Sequence, residues 1–189
     1  MQPSAFIAEI NYALETAFNR LAKWFEAPSS LRAYRPASGG WAIDEILEHV
    51  ALTNHYLLIL IEKGAAKALK NVHSLNLEAE LAVRCSEPNK LKEIANPQAF
   101  AWVRPEHMEP RGLKTGPEVA AALRQQLRAC QQVLTRLPNG EGVLYRTTMT
   151  VNALGKIDVY DFVHFLAKHA ERHLVQIQNV AAEYSATSH

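Results

Sequence analysis

A chain of 189 residues, 48% apolar and 21% charged, can bury one substantial core and does not require two. Its formal net charge of +1, spread without blocks of like charge, excludes the clustered lysine and arginine of a nucleic-acid surface. No window supplies the roughly 18 uncharged apolar residues of a membrane-spanning helix, so no membrane partner is expected.

Met1 to Phe18 carries Glu9 and Glu15 within its apolar pattern and has no continuous apolar run. A secretory signal is therefore not expected there, and the default location is cytoplasmic. Cys85 and Cys130 lie far apart without a C-x-x-C spacing, so free thiols are a simpler reading than a disulfide.

In chain order, Phe6, Ile10, Leu14, Phe18 and Leu21 mark the stripe of an amphipathic helix over about residues 3–26. Pro3 suits its first turn and Pro28 ends it. Leu31 to Gly40, with Pro36, Ser38 and Gly39, reads as a shaped loop. A second helix is predicted over about 41–63, with Ile43, Ile46, Leu47, Val50 and Ile61 inward, stopping at Gly64 or fading through the alanines beyond. On it Glu45, Thr53 and Tyr56 fall within about 40° of His49, whereas His55 is about 120° away and faces solvent.

Residues 65 to 116 are irregular. A short helix is predicted within Val72 to Val83, and a series of prolines and glycines from Pro88 to Pro117 interrupts any regular pattern beyond it. The span exceeds an ordinary helix–helix connection and reads as a functional cover or an overhand crossover. Phe100, Trp102 and Met108 predict that it packs against the rest of the chain. A third helix is predicted over about 117–137, capped by Thr115 or Gly116 with Pro117 in its first turn. Cys130 falls on its apolar stripe, as a buried structural thiol would. Val143 to Val151 has β-propensity without an evident partner and reads as an extended loop. A fourth helix over about 158–184 starts at Asp158 and turns Phe162, Phe165, Leu166, His169, His173 and Ile177 inward, with His164 about 140° from His169. Four long amphipathic helices in one domain, 1–189, predict an all-α protein, a four-helix bundle with long connections.

His169 and His173, four apart on one helix face, can share an ion, and His49 on the second helix can supply a third imidazole. Three histidines leave coordination positions open, the pattern of a catalytic rather than a closed structural metal. The competing reading is three hydrogen-bonded core histidines. Glu171 stands two after His169, whereas the zincin motif needs its glutamate next to the first histidine, so this is not that protease signature.

Two stretches carry a resemblance. From Tyr34 to Val50, Trp41 is followed four residues later by Glu45 and four after that by His49; His169 to Gln176 reads His-x-x-x-His-x-x-Gln. Together they resemble the DinB/YfiT superfamily of metal-dependent bundle proteins. The resemblance implies a four-helix bundle with long overhand connections, often a homodimer, and a three-histidine divalent site made by His49, His169 and His173. Ala42 stands where the family has Ser or Thr, so Asp44 or the Gly40 backbone must supply the helix cap. The resemblance also implies a metal-dependent enzyme, a hydrolase or thiol-dependent transferase, acting on a small molecule. A Zn, Ni, Fe or Mn ion would activate water or a low-molecular-weight thiol cosubstrate. Glu45 is then the candidate orienting residue or base, and Tyr56 and Gln176 are candidate lining residues. The alternative is a non-catalytic sensor or small-ligand-binding bundle, with or without metal.

Overall fold

The computed structural model describes residues 2–84, 88–100 and 105–187. Its long helices are α1 (Pro3–Lys23), α3 (Ile43–Asn71), α6 (Gly116–Arg136) and α7 (Val159–Thr187). The shorter α2 (Ser29–Arg32), α4 (Leu77–Ala82) and α5 (Pro88–Ile94) lie in the connections. α1 packs against α7 and α6, and α3 against α6 and α7, so α1 and α3 stand at opposite corners of a four-helix bundle. The predicted inner faces meet in one core: Leu14, Leu21, Ile43, Ile46, Leu47, Ile61 and Leu166 are fully buried. α3 and α7 run antiparallel, with the His49 end of α3 against His173 and its Gly64 end against Val159.

α3 runs on past the predicted end at 63, because Gly64 works as a packing residue and not as a stop. A Cβ there would come 3.3 Å from Val159 and 3.4 Å from Tyr145, so its absence lets helix and hairpin approach. Ala65 and Ala68 continue the close contact and are fully buried. Across α3 and α6, the Asn54 amide donates to Gln126 Oε1 at 3.2 Å and Gln126 donates to the Ala51 carbonyl at 2.8 Å, a buried clasp between the helices.

The extended loop predicted after Val143 is corrected. Residues Arg146–Met149 form β1, which pairs antiparallel with β2, Gly155–Asp158, in the register Arg146 to Asp158 and Met149 to Gly155. The partner strand escapes notice because Gly155 and Lys156 carry little β-propensity; Gly155 sits at φ +73°, where a side chain is strained. β2 delivers Asp158, whose Oδ1 accepts the Asp161 N–H at 2.9 Å and caps α7 as predicted. Arg84 then bonds both Asp158 at 2.7 Å and Asp161 at 2.9 Å in a nearly buried cluster.

Within the long 72–115 connection, the predicted short helix is α4, and α5 is an additional one. α5 packs on α7. Phe100 and Met108 are half-buried, in keeping with a packed cover, while Trp102 and Cys85 lie outside the described residues. Cys130 is buried as predicted, and burial pushes its thiol pKa up to about 12, which leaves it inert at neutral pH.

Candidate metal centre

α3 presents His49 in its second turn, and α7 presents His169 and His173 one turn apart near its middle. The loop before α3 is held so that it frames them. The Tyr34 hydroxyl and the Ala37 N–H both donate to Glu183 Oε1, at 2.9 and 2.8 Å, pinning the loop to the far end of α7. Arg32 pairs with Asp44 at 2.9 Å. Trp41 is thereby laid against the His49 ring, with centroids 4.8 Å apart.

The three imidazoles converge. One ring nitrogen of each lies within 4.8 Å of the other two, and the residues are only 5%, 1% and 7% exposed. His169 Nε2 and His173 Nε2 are 3.1 Å apart. Nitrogens held about 2.0–2.1 Å from one ion at tetrahedral to octahedral angles stand about 2.9–3.4 Å apart, so this pair already has the spacing of two ligands. The His49 ring stands slightly farther off, its centroid 4.8 Å from His173 and 5.4 Å from His169.

The tautomers favour the same reading. A carbonyl can only accept, so His49 Nδ1–H donates to the Met108 carbonyl at 2.7 Å and leaves a lone pair on Nε2. His173 Nδ1–H donates to Gln176 Oε1 at 2.9 Å, which leaves a lone pair on its Nε2 as well. Without an ion, His169 Nε2–H donates to that lone pair; as a neutral ligand through Nε2, His169 would carry its proton on Nδ1 instead. Metal-ligating histidines are commonly held by such a bond on the opposite nitrogen. Charge on the rings is disfavoured. Burial first, then the neighbouring His49 and Arg172, drives the His173 pKa down to about 3, and burial with the other two imidazoles and Arg172 holds His169 well below its ordinary value. His169 and His173 are thus held uncharged, and a set of three imidazoles fits a divalent transition ion.

The other predicted site residues separate. Gln176 lines the cleft and orients His173. Glu45 sits in the first turn of α3, where its Oε2 accepts the Ala42 N–H at 2.8 Å and its Oε1 pairs with Arg35 at 2.6 Å. It therefore supplies the helix-start hydrogen bond that was expected from Asp44 or Gly40, because a glutamate at the third helical position can fold back over the terminus. Tyr56 lies two turns beyond His49, with its ring 4.4 Å from that of His107, and lines a separate groove between α3 and α6. His55 is exposed; His164 is half-buried and apart from the cluster, its pKa lowered to about 4 by burial.

Two contributors had little signal in the sequence. The Met108 carbonyl comes from a 3₁₀ turn, Glu106–Met108, that crosses over α3; the Gly112 N–H donates to Glu48 at 2.9 Å and fixes the same crossing. Arg172 precedes His173 and reads as an ordinary surface charge. Its guanidinium donates to the carbonyls of Asn96, Pro97 and Phe100, tying the α5 connection to α7. A cleft of about 280 Å³ opens on His49 and His173 between Gly39, Gly40, Trp41 and Arg172.

Bundle and cluster together define a helical protein with a three-histidine pocket of the kind that holds a divalent ion beside an open cleft. The family model of the DinB superfamily matches residues 13–177, and the chain belongs to that superfamily. No curated protein and no solved structure matches it. No helix among the described residues is long and apolar enough to cross a membrane.

Proposed function

We propose that the chain is a metal-dependent enzyme in which His49, His169 and His173 hold one divalent transition ion, such as Zn, Ni, Fe or Mn, facing the cleft. The single observation that carries the reading is the convergence of three buried imidazoles, two of them with their opposite nitrogens committed to Met108 and Gln176. Such an ion supplies Lewis acidity, which makes a water or a small thiol cosubstrate nucleophilic near neutral pH. The residues of the chain do the remaining work. Met108 and Gln176 hold the ring tautomers, and Trp41 fixes the His49 ring against rotation. Burial keeps the His169 and His173 imidazoles uncharged, and the 280 Å³ cleft has room for a small molecule. The reaction is hydrolysis or thiol transfer to a small electrophile, carried out in the cytoplasm by a homodimer.

Single-turnover assays test this. Protein loaded with each metal in turn is offered an aryl ester, and separately a thiol with an activated aryl halide. Turnover by loaded wild type and none by His169→Ala is the expected outcome. Full metal occupancy with no turnover on either substrate class would leave a bundle that binds an ion without using it.

A further inference from the structure

His49 presents an Nε2 lone pair only while its proton stays on Nδ1, and that depends on where the Met108 carbonyl points. Which nitrogen of a neutral imidazole carries the proton is set by the hydrogen bond the ring makes. The carbonyl belongs to the single 3₁₀ turn Glu106–Met108, and so short a turn has little stability of its own. Two hydrogen bonds join the crossing segment to α3, and they land on consecutive residues. The Met108 carbonyl accepts from His49 at 2.7 Å, and the Gly112 N–H donates to Glu48 Oε2 at 2.9 Å. The His107 ring adds a contact with Tyr56 farther along the helix. Glu48 is only 6% exposed, a placement that costs a carboxylate free energy unless a hydrogen bond offsets it. A bond to a carboxylate is about twice as strong as one between neutral partners, which makes Glu48 a firm anchor. Glu48 lines the groove between α3 and α6 and not the histidine cleft, so its influence on the site passes through the 108–112 segment.

We propose that Glu48 is a positioning residue that anchors the crossing at Gly112, aims the Met108 carbonyl and so sets the tautomer of His49. The tautomer is read without metal, so only the affinity half of the test rests on the metal reading above. Chelator-treated, isotope-labelled full-length protein is followed by long-range proton–nitrogen NMR at about pH 7.5, where wild type is expected to show His49 protonated on Nδ1. Glu48→Gln keeps an acceptor oxygen for Gly112 and should preserve that signature, whereas Glu48→Leu should move much of the His49 population to the Nε2–H form. Reloaded with zinc and set against a competing chelator, Glu48→Leu should bind about tenfold more weakly, and Glu48→Gln about as tightly as wild type. Gln126→Leu loosens the α3–α6 clasp without touching the crossing, so it should lose stability to urea yet keep both readouts. Should Glu48→Leu fail to fold, Glu48→Asp, one methylene too short to reach Gly112, takes its place with the same expected outcome. A wild-type His49 tautomer in the leucine or aspartate variant, or an equal loss of zinc affinity in Gln126→Leu, overturns the assignment. The expected tautomer shift in a protein that takes up no zinc upholds the assignment and removes the metal reading instead.

Discussion

Acid should unfold the metal-free protein earlier than its charge composition suggests, and the buried imidazoles set the size of the effect. His173 is held at about 3, His164 at about 4, and His169 well below the ordinary 6.5, each mainly by burial. Because the folded values lie below the unfolded one, these groups cost nothing above about pH 6.5. As pH falls below it, the unfolded chain takes up protons that the folded chain refuses, and stability declines. At about pH 5 His173 and His164 have each cost about 2 kcal/mol, with a further loss in the same direction from His169, a large share of the roughly 5–15 kcal/mol that holds a domain folded. The assay is urea unfolding of chelator-treated protein, followed by helical circular dichroism at about pH 7.5 and about pH 5. His164→Gln isolates one group away from the cluster and should recover about 2 kcal/mol at the lower pH. The same acid loss in wild type and His164→Gln would refute the reasoning.

Three further outcomes are expected from the geometry. His169→Ala leaves His49 and His173 on separate helices without the preset pair, and elemental analysis should show most of the metal gone, whereas His55→Ala should retain it; wild-type content in His169→Ala would contradict the ligand assignment. Gln176→Leu removes the acceptor that holds His173 Nδ1–H, so competition with a chelator should reveal a 10- to 100-fold weaker site, about the usual loss for such an orienting partner, with no change in stoichiometry. Arg84→Met strands the nearly buried carboxylates of Asp158 and Asp161 and should cost about 3–5 kcal/mol in denaturant unfolding, because unpaired buried charge is expensive; a loss below about 1 kcal/mol would show the cluster to be well solvated.

The four long helices were legible because each buries a stripe at helical spacing, as Leu14, Leu21 and Leu166 illustrate. The three histidines were legible for a related reason: two share a turn of α7, and the third follows Trp41 at fixed helical offsets. Features that depend on contacts between distant segments were hidden. Gly64 reads as a breaker until Val159 and Tyr145 are seen against it. β1 shows its propensity, but in its four-residue partner strand only Ile157 does, beside Gly155, Lys156 and Asp158. Glu45 shares a helical line with His49, yet its place in the first turn draws its carboxylate to the helix terminus. The carbonyl of Met108 has no side-chain signature at all, and Arg172 becomes distinctive only when the α5 connection wraps onto α7.

That His49, His169 and His173 hold one ion is tested most directly by elemental analysis of freshly purified full-length protein. About one equivalent of a divalent transition metal per chain is expected, released by acid and restored by adding metal at neutral pH. Less than about a tenth of an equivalent, unimproved by added metal, would contradict it and leave His49, His169 and His173 as hydrogen-bonded core residues.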